Sequence, residues 1–130
     1  MQAGADPNIR NRRGQTALHI AAWNGHSSVA RQLGQSQADV NARSEHSGET
    51  PLHTAVRANR VDMVVVLLQA GARSSLRTLA ETSPDIRGNR HPAGVTAREI
   101  AERAGFDEIV RIMGGVPTPL LEPEAESPDG

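Results

Sequence analysis

Two residue types that carry much of enzyme chemistry are missing from this 130-residue chain, which contains neither cysteine nor lysine. The lack of cysteine excludes disulfide bonds, a thiolate nucleophile and a cysteine-ligated zinc ion. The lack of lysine excludes a Schiff-base amine. It also makes every basic residue an arginine, whose planar guanidinium suits forked contacts to carboxylates and phosphates. These absences agree with an intracellular protein, cytoplasmic or nuclear, and they weigh against an enzyme.

Large rings and long apolar runs are also scarce. Trp23 and Phe106 are the only aromatic residues, so small and aliphatic side chains must fill the interior. The longest uninterrupted apolar stretch, 63–68, is far too short to cross a membrane. A net charge of -1 gives no general attraction to nucleic acid or to a membrane surface. We therefore expect no membrane partner.

The charges are unevenly placed along the chain. Residues 1–113 contain all 14 arginines, whereas 114–130 contain four acidic residues and no basic one. This last segment is rich in proline, glutamate and serine, a composition typical of disorder. The sequence therefore predicts one folded domain over 1–113, followed by a disordered acidic tail.

Self-comparison of the sequence reveals an internal repeat. The phrase Gly-Gln-Thr-Ala-Leu-His-Ile-Ala-Ala at 14–22 returns 34 residues later, at 48–56, as Gly-Glu-Thr-Pro-Leu-His-Thr-Ala-Val. A weaker third copy, Gly-Val-Thr-Ala-Arg-Glu-Ile-Ala-Glu, begins a further 46 residues on, at Gly94. Such regular recurrence is typical of stacked repeat proteins.

A second phrase alternates with the first, at 4–8, 38–42 and 71–73. Together the two phrases resemble the ankyrin repeat, a unit of about 33 residues with two antiparallel helices and a β-turn loop. The resemblance implies an all-α solenoid of stacked helix-turn-helix units with β-turn or hairpin loops.

The family period implies the division of the folded domain. We expect a partial unit at 1–11, repeats at 12–43 and 44–77, an insertion at about 78–93 and a degenerate capping repeat at 94–113. The insertion lengthens one inter-repeat loop, and such loops often lie on the binding face.

Local signals predict where the helices begin and end. A threonine hydroxyl can cap the free amides of a helix, and Thr16, Thr50 and Thr96 stand where short first helices should begin. Glycine and asparagine accept the left-handed conformation that ends a helix; the residues concerned are Gly25, Asn59 and Gly105. The predicted first helices are at about 16–24, 50–58 and 96–104, and the second helices at about 27–36, 61–70 and 107–113.

The aliphatic residues of these helices should form one continuous core, buried only against neighbouring units. They are Leu18, Ile20, Val29, Leu33, Leu52, Met63, Val64, Leu67, Leu68, Ile100, Ile109 and Val110.

His19 and His53 raise the question of a metal site. Stacked helices lie roughly 8–10 Å apart, so equivalent histidines cannot easily share one ion. In the ankyrin family this histidine makes structural hydrogen bonds, and we favour that role. The chain also lacks a glycine-rich phosphate loop after a strand and paired carboxylates on one helical face. We expect no metal, no cofactor and no catalytic residue.

The resemblance implies that partner contacts fall at the positions that the family leaves variable. On the β-turns these are Arg12, Arg13 and Gln15, followed by His46 and Glu49. On the inner helices they are Trp23, Asn24, Arg57 and Arg103. Trp23 carries most weight because tryptophan and arginine are common hot spots of binding. The alternative is that Trp23 packs against Arg13 or Arg57 and only covers surface.

The implied function is protein–protein interaction, as a scaffold, adaptor or inhibitor that holds another protein on the concave face. The arginines beside Trp23 suit an acidic or phosphorylated segment, and no obligate oligomer is expected. The alternative is a nucleic acid or phosphate ligand at an N-terminal arginine cluster. That hypothesis is weaker because residues 1–113 carry a formal charge of only +3 and few aromatics for base stacking. The cluster comprises Arg10, Arg12, Arg13, Arg31 and Arg43.

Overall fold

The computed structural model describes residues 10–12, 14–36, 38–45 and 47–114, and these residues form six α-helices. Every helix begins and ends within two residues of its predicted bounds, and the all-helical architecture is confirmed. No helix in this part of the chain has the length and apolar character needed to cross a membrane. The helices are α1 Ala17–Asn24, α2 Ser27–Gln35, α3 Pro51–Arg57, α4 Val61–Gln69, α5 Ala97–Ala104 and α6 Asp107–Gly114.

The six helices form three stacked hairpins. Helices α1, α3 and α5 pack side by side as an inner row, while α2, α4 and α6 form an outer row behind them. Fully buried alanines allow the inner helices to approach closely; they are Ala22, Ala55 and Ala101. Each hairpin therefore buries its apolar face against the next, as a repeat architecture requires.

The predicted helix signals act as expected. Thr50 Oγ1 and Thr96 Oγ1 accept hydrogen bonds from backbone amides of the first turn, at 3.3 and 3.1 Å. Gly25 and Gly105 end α1 and α5 with φ values of 77° and 79°, and Asn59 follows α3 with φ 54°. These positive angles explain why glycine or asparagine occupies each stop.

The core follows the prediction with two exceptions. Nine of the twelve predicted core residues are buried and Leu68 is partly buried, but Ile20 and Val29 are 44% and 41% exposed, so their assignment was wrong. Ile20 lines a surface groove, and Val29 lies off the Ala30–Leu33 stripe with which α2 packs inward.

Residues 78–94 do not form an open loop. Thr78 and Val95 join the ends of the segment, and the Thr82 amide donates to the His91 carbonyl at 3.0 Å. Further along, the Ile86 amide donates to the Arg57 carbonyl at the end of α3. The segment therefore lies against the inner row of helices.

Two buried histidines connect neighbouring hairpins. In the first, the Thr16 amide donates to His19 Nδ1 at 3.2 Å, and His19 Nε2 donates to the Glu49 carbonyl at 2.8 Å. His53 repeats this arrangement one unit later, with the Thr50 amide and the Val95 carbonyl. The predicted structural role of both histidines is confirmed.

These hydrogen bonds need neutral imidazoles, since Nδ1 must accept while Nε2 donates. Burial lowers the pKa of both His19 and His53, and it outweighs the opposing effect of their backbone hydrogen bonds. The folded protein therefore binds fewer protons than the unfolded chain below the ordinary histidine pKa of 6.5.

We expect the free energy of unfolding to be full above about pH 6.5 and to fall as the pH is lowered toward about 5.5, because the unfolded chain takes up protons first. Urea denaturation followed by circular dichroism measures this fall. It should be smaller for His53→Gln, which cannot titrate, and unchanged for His26→Gln, which alters an exposed histidine. Equal stability of the unmodified protein at the two pH values would contradict the prediction.

Candidate partner-binding groove

A groove of about 480 Å³ opens on the inner side of the first two hairpins. A second cavity of about 350 Å³ continues it toward the β-turn loops, and the two share lining residues that include Gln15, Thr54 and Arg57. We call the two cavities together the inner groove. Its walls come from α1, α3, the β-turn loops and the 78–93 segment. The residues that line the larger cavity include Ile20, Trp23, Asn24, Arg57, Ser83 and Pro84.

Trp23 lies in one wall of the inner groove and is 39% exposed. The Arg57 guanidinium carbon lies 5.1 Å from the centroid of its ring, within the range of a cation–π contact. The predicted alternative, in which Trp23 packs against Arg57, therefore describes part of the geometry. The rest of the indole remains available to a ligand.

Arg57 and Glu49 form a buried ion pair. Arg57 Nε lies 2.8 Å from Glu49 Oε1, and the two side chains are only 7% and 4% exposed. The Glu49 carboxylate also accepts from the hydroxyls of Thr54 and Ser47, at 3.3 and 3.1 Å. Both charged residues had been expected on the open surface; instead they neutralise each other inside the groove wall.

The other predicted contact residues are dispersed. Gln15 and Asn24 line the inner groove, whereas Arg12 is exposed outside its lining. Arg103 is exposed on α5 and its Nε donates to His91 Nδ1 at 3.3 Å. Arg13 and His46 lie outside the described residues, as do residues 115–130 of the predicted tail.

The 78–93 segment separates Arg103 from the inner groove. Arg57 Nη1 donates to the Pro84 carbonyl at 3.0 Å, and Arg87 Nη1 donates to the Ala104 carbonyl at the end of α5. The segment thus extends from the end of α3 to the end of α5. Arg103, which was predicted as an inner-helix contact like Trp23 and Arg57, therefore contacts the inserted segment and does not line the inner groove.

A buried cluster that sequence reasoning missed fixes this segment. His91 Nε2 donates to Asp85 Oδ2 at 2.8 Å, and the two side chains are almost fully buried. Burial raises the pKa of Asp85, but hydrogen bonds from Asn89, His91 and Arg87 outweigh it and leave the pKa below its ordinary value. The only sequence signal was the turn-forming Gly88-Asn89 that follows Asp85. In the described part of the chain, no three His, Asp or Glu side chains are arranged to hold a metal ion.

Three arginines repeat a second contact that the sequence interpretation overlooked. Arg10 Nη1 and Arg43 Nη1 each donate to a glycine carbonyl in their own turn, Gly14 and Gly48, and to a backbone carbonyl of the next unit. Arg77 Nη1 donates to the Gly94 carbonyl and lies 3.3 Å from Glu99 Oε1. Their spacing of 33 and 34 residues was the available signal. These structural bonds use two arginines of the cluster considered for nucleic acid.

Comparison with known families decides the assignment of the stacked hairpins. Residues 1–78 match the family model described as ankyrin repeats (3 copies). The chain belongs to the ankyrin-repeat family. The third hairpin, which contains α5 and α6, lies beyond the matched residues and continues the same ankyrin-type stack.

Several curated ankyrin-repeat relatives are similar to this chain. NF-kappa-B inhibitor cactus of Drosophila melanogaster is 40% identical over 74 residues, 57% of this chain and 15% of cactus. NF-kappa-B inhibitor delta of Mus musculus is 30% identical over 139 aligned positions, 90% of this chain and 38% of that protein. Calmodulin-binding transcription activator CBT of Oryza sativa subsp. japonica is 37% identical over 100 residues, 77% of this chain and 10% of CBT. The chain thus spans well under half the length of these relatives.

Removal of one partner of the buried Arg57–Glu49 pair should strongly destabilise the ankyrin stack. Arg57→Met leaves the Glu49 carboxylate buried without its countercharge, so the free energy of unfolding should fall by about 3 kcal/mol. The double variant Glu49→Gln, Arg57→Met should recover part of that loss because it buries no charge. Urea denaturation of the three proteins tests this, and an Arg57→Met variant as stable as the unmodified chain would contradict it.

Proposed function

We propose that this chain is a protein–protein interaction module that holds its partner in the inner groove. The observation that carries the proposal is Trp23, a large apolar side chain that is 39% exposed within a groove of about 480 Å³. Buried anchors of binding are often tryptophan residues seated in pockets. The ankyrin fold adds support because its stacked units present extended concave surfaces.

The mechanism is recognition by a preformed surface. The Arg57 guanidinium packs on the Trp23 ring, and the Trp23 carbonyl accepts a hydrogen bond from Arg60 Nε at 3.0 Å. Because these contacts exist before a partner arrives, binding need not order the groove, and the associated free-energy cost stays small. No catalytic role is part of this proposal.

The biological role remains that of a scaffold, adaptor or inhibitor, in a cytoplasmic or nuclear location. Two of the similar proteins are named as NF-kappa-B inhibitors, which favours the inhibitor role among the three. Among the predicted contact arginines that the structure describes, Arg12 and Arg103 are the exposed ones that an acidic or phosphorylated partner would meet. The nucleic-acid alternative is less favoured because Arg10 and Arg43 bind backbone carbonyls of the fold.

Trp23→Ala should weaken partner binding by about 2 kcal/mol or more while the helix content stays nearly intact. Affinity capture from a cell extract, quantified by mass spectrometry, compares this variant with the unmodified chain. Val29→Ala is the matched control, since Val29 is equally exposed but lies on α2. A capture profile that is the same for all three proteins would reject the inner groove as the binding site. Loss of helical signal in Trp23→Ala would show that Trp23 is a core residue.

A further inference from the structure

Arg57 retains hydrogen-bonding capacity inside the inner groove. A guanidinium has five N–H groups. One, at Nε, donates to Glu49, and one, at Nη1, donates to the Pro84 carbonyl. Among the described residues, the other three N–H groups have no hydrogen-bond acceptor, although the side chain is 93% buried and lines both cavities. Buried N–H groups that have no acceptor favour a ligand that supplies hydrogen-bond acceptors.

The charge of the groove determines which acceptor fits. The residues that line the two cavities include one cation, Arg57, and two carboxylates, Glu49 and Glu81. Glu49 already provides the countercharge of Arg57 at 2.8 Å. A ligand carboxylate or phosphate near the guanidinium would therefore face uncompensated negative charge, in a place where water screens it poorly. A neutral carbonyl oxygen would accept the same hydrogen bonds without that repulsion.

Part of the groove wall beside Arg57 is apolar. The Trp23 ring and Ile20 come from α1, and Pro84 comes from the inserted segment. Trp23 and Ile20 are each about two-fifths exposed, so an aliphatic or proline side chain packed against them would remove apolar surface from water on both sides. An extended chain offers this combination, because it alternates side chains with main-chain carbonyls.

We propose that the inner groove binds an extended, uncharged peptide segment of the partner, with a main-chain carbonyl accepting from the Arg57 guanidinium and an aliphatic or proline side chain against Trp23. This inference rests on the proposed function and narrows it, since it replaces the acidic or phosphorylated segment with a neutral one. Glu49, the countercharge of Arg57, is the residue that disfavours an acidic segment.

Selection of displayed random peptides of about twelve residues, which span about 40 Å when extended, tests the inference directly. We expect enriched sequences with aliphatic residues or proline and without Asp or Glu at their centre, and we expect them to lose binding to Trp23→Ala. Enriched peptides that depend on Trp23 but carry a central acidic residue would overturn this inference while leaving the proposed function intact. Failure to enrich any peptide that depends on Trp23 would overturn both.

The role of Glu49 has its own test, with a selected peptide and a copy in which one central residue is replaced by Asp. Glu49→Gln leaves Arg57 without its countercharge, so the affinity for the acidic copy relative to the neutral peptide should rise at least about tenfold. A ratio of affinities measured in one protein is insensitive to a partial loss of folded material. Glu108→Gln, an exposed site on α6, is the control and should leave the ratio unchanged. An unchanged ratio in Glu49→Gln would also overturn the inference.

Discussion

The stack depends on a neutral imidazole that makes one hydrogen bond within its own hairpin and one to the next hairpin. His19 and His53 each accept from the helix-initiating threonine of their own unit and donate to a carbonyl of the following one. That carbonyl belongs to the residue directly before the helix-initiating threonine of the next unit, which is Thr50 for His19 and Thr96 for His53. The start of one inner helix is thereby set by the start of its neighbour. Because both ring nitrogens are used and buried, neither position tolerates a charge.

The last hairpin shows which half of this contact can be omitted. Glu99 replaces the histidine, and its carboxylate accepts from the Thr96 amide at 3.1 Å, so the helix start is still satisfied. The same carboxylate also lies beside Arg77, which a histidine could not attract in the same way. Within the described residues, Glu99 thus keeps the half of the contact that lies in its own hairpin and adds an ion pair with Arg77.

The fold was predictable from the sequence because its signals recur. Much of the groove was unpredictable because each of its contacts occurs only once. The recurring phrases, with a threonine before each first helix and a glycine or asparagine after it, located every helix to within two residues. By contrast, the Arg57–Glu49 pair joins residues eight apart across a helix start, and the Asp85–His91 pair is confined to the insertion. Neither pair recurs in another repeat of the described chain, so no periodic pattern in the sequence identifies it. Ile20 was misplaced for a related reason, since helical periodicity identifies an apolar position but not whether a core or a groove faces it.

The inserted segment changes what the variable positions of the second unit can do. Its Pro84 carbonyl accepts from the Arg57 side chain, and its Ile86 amide donates to the Arg57 carbonyl. The end of α3 therefore holds the inserted segment in place. Trp23 occupies the equivalent position on α1 and is 39% exposed, whereas Arg57 is almost fully buried. In the proposed binding mode, Trp23 supplies the open contact surface, while Arg57 and Glu49 form a neutral ion pair in the groove wall. We therefore expect changes at Arg57 to affect stability and binding together, and changes at Trp23 to affect mainly binding.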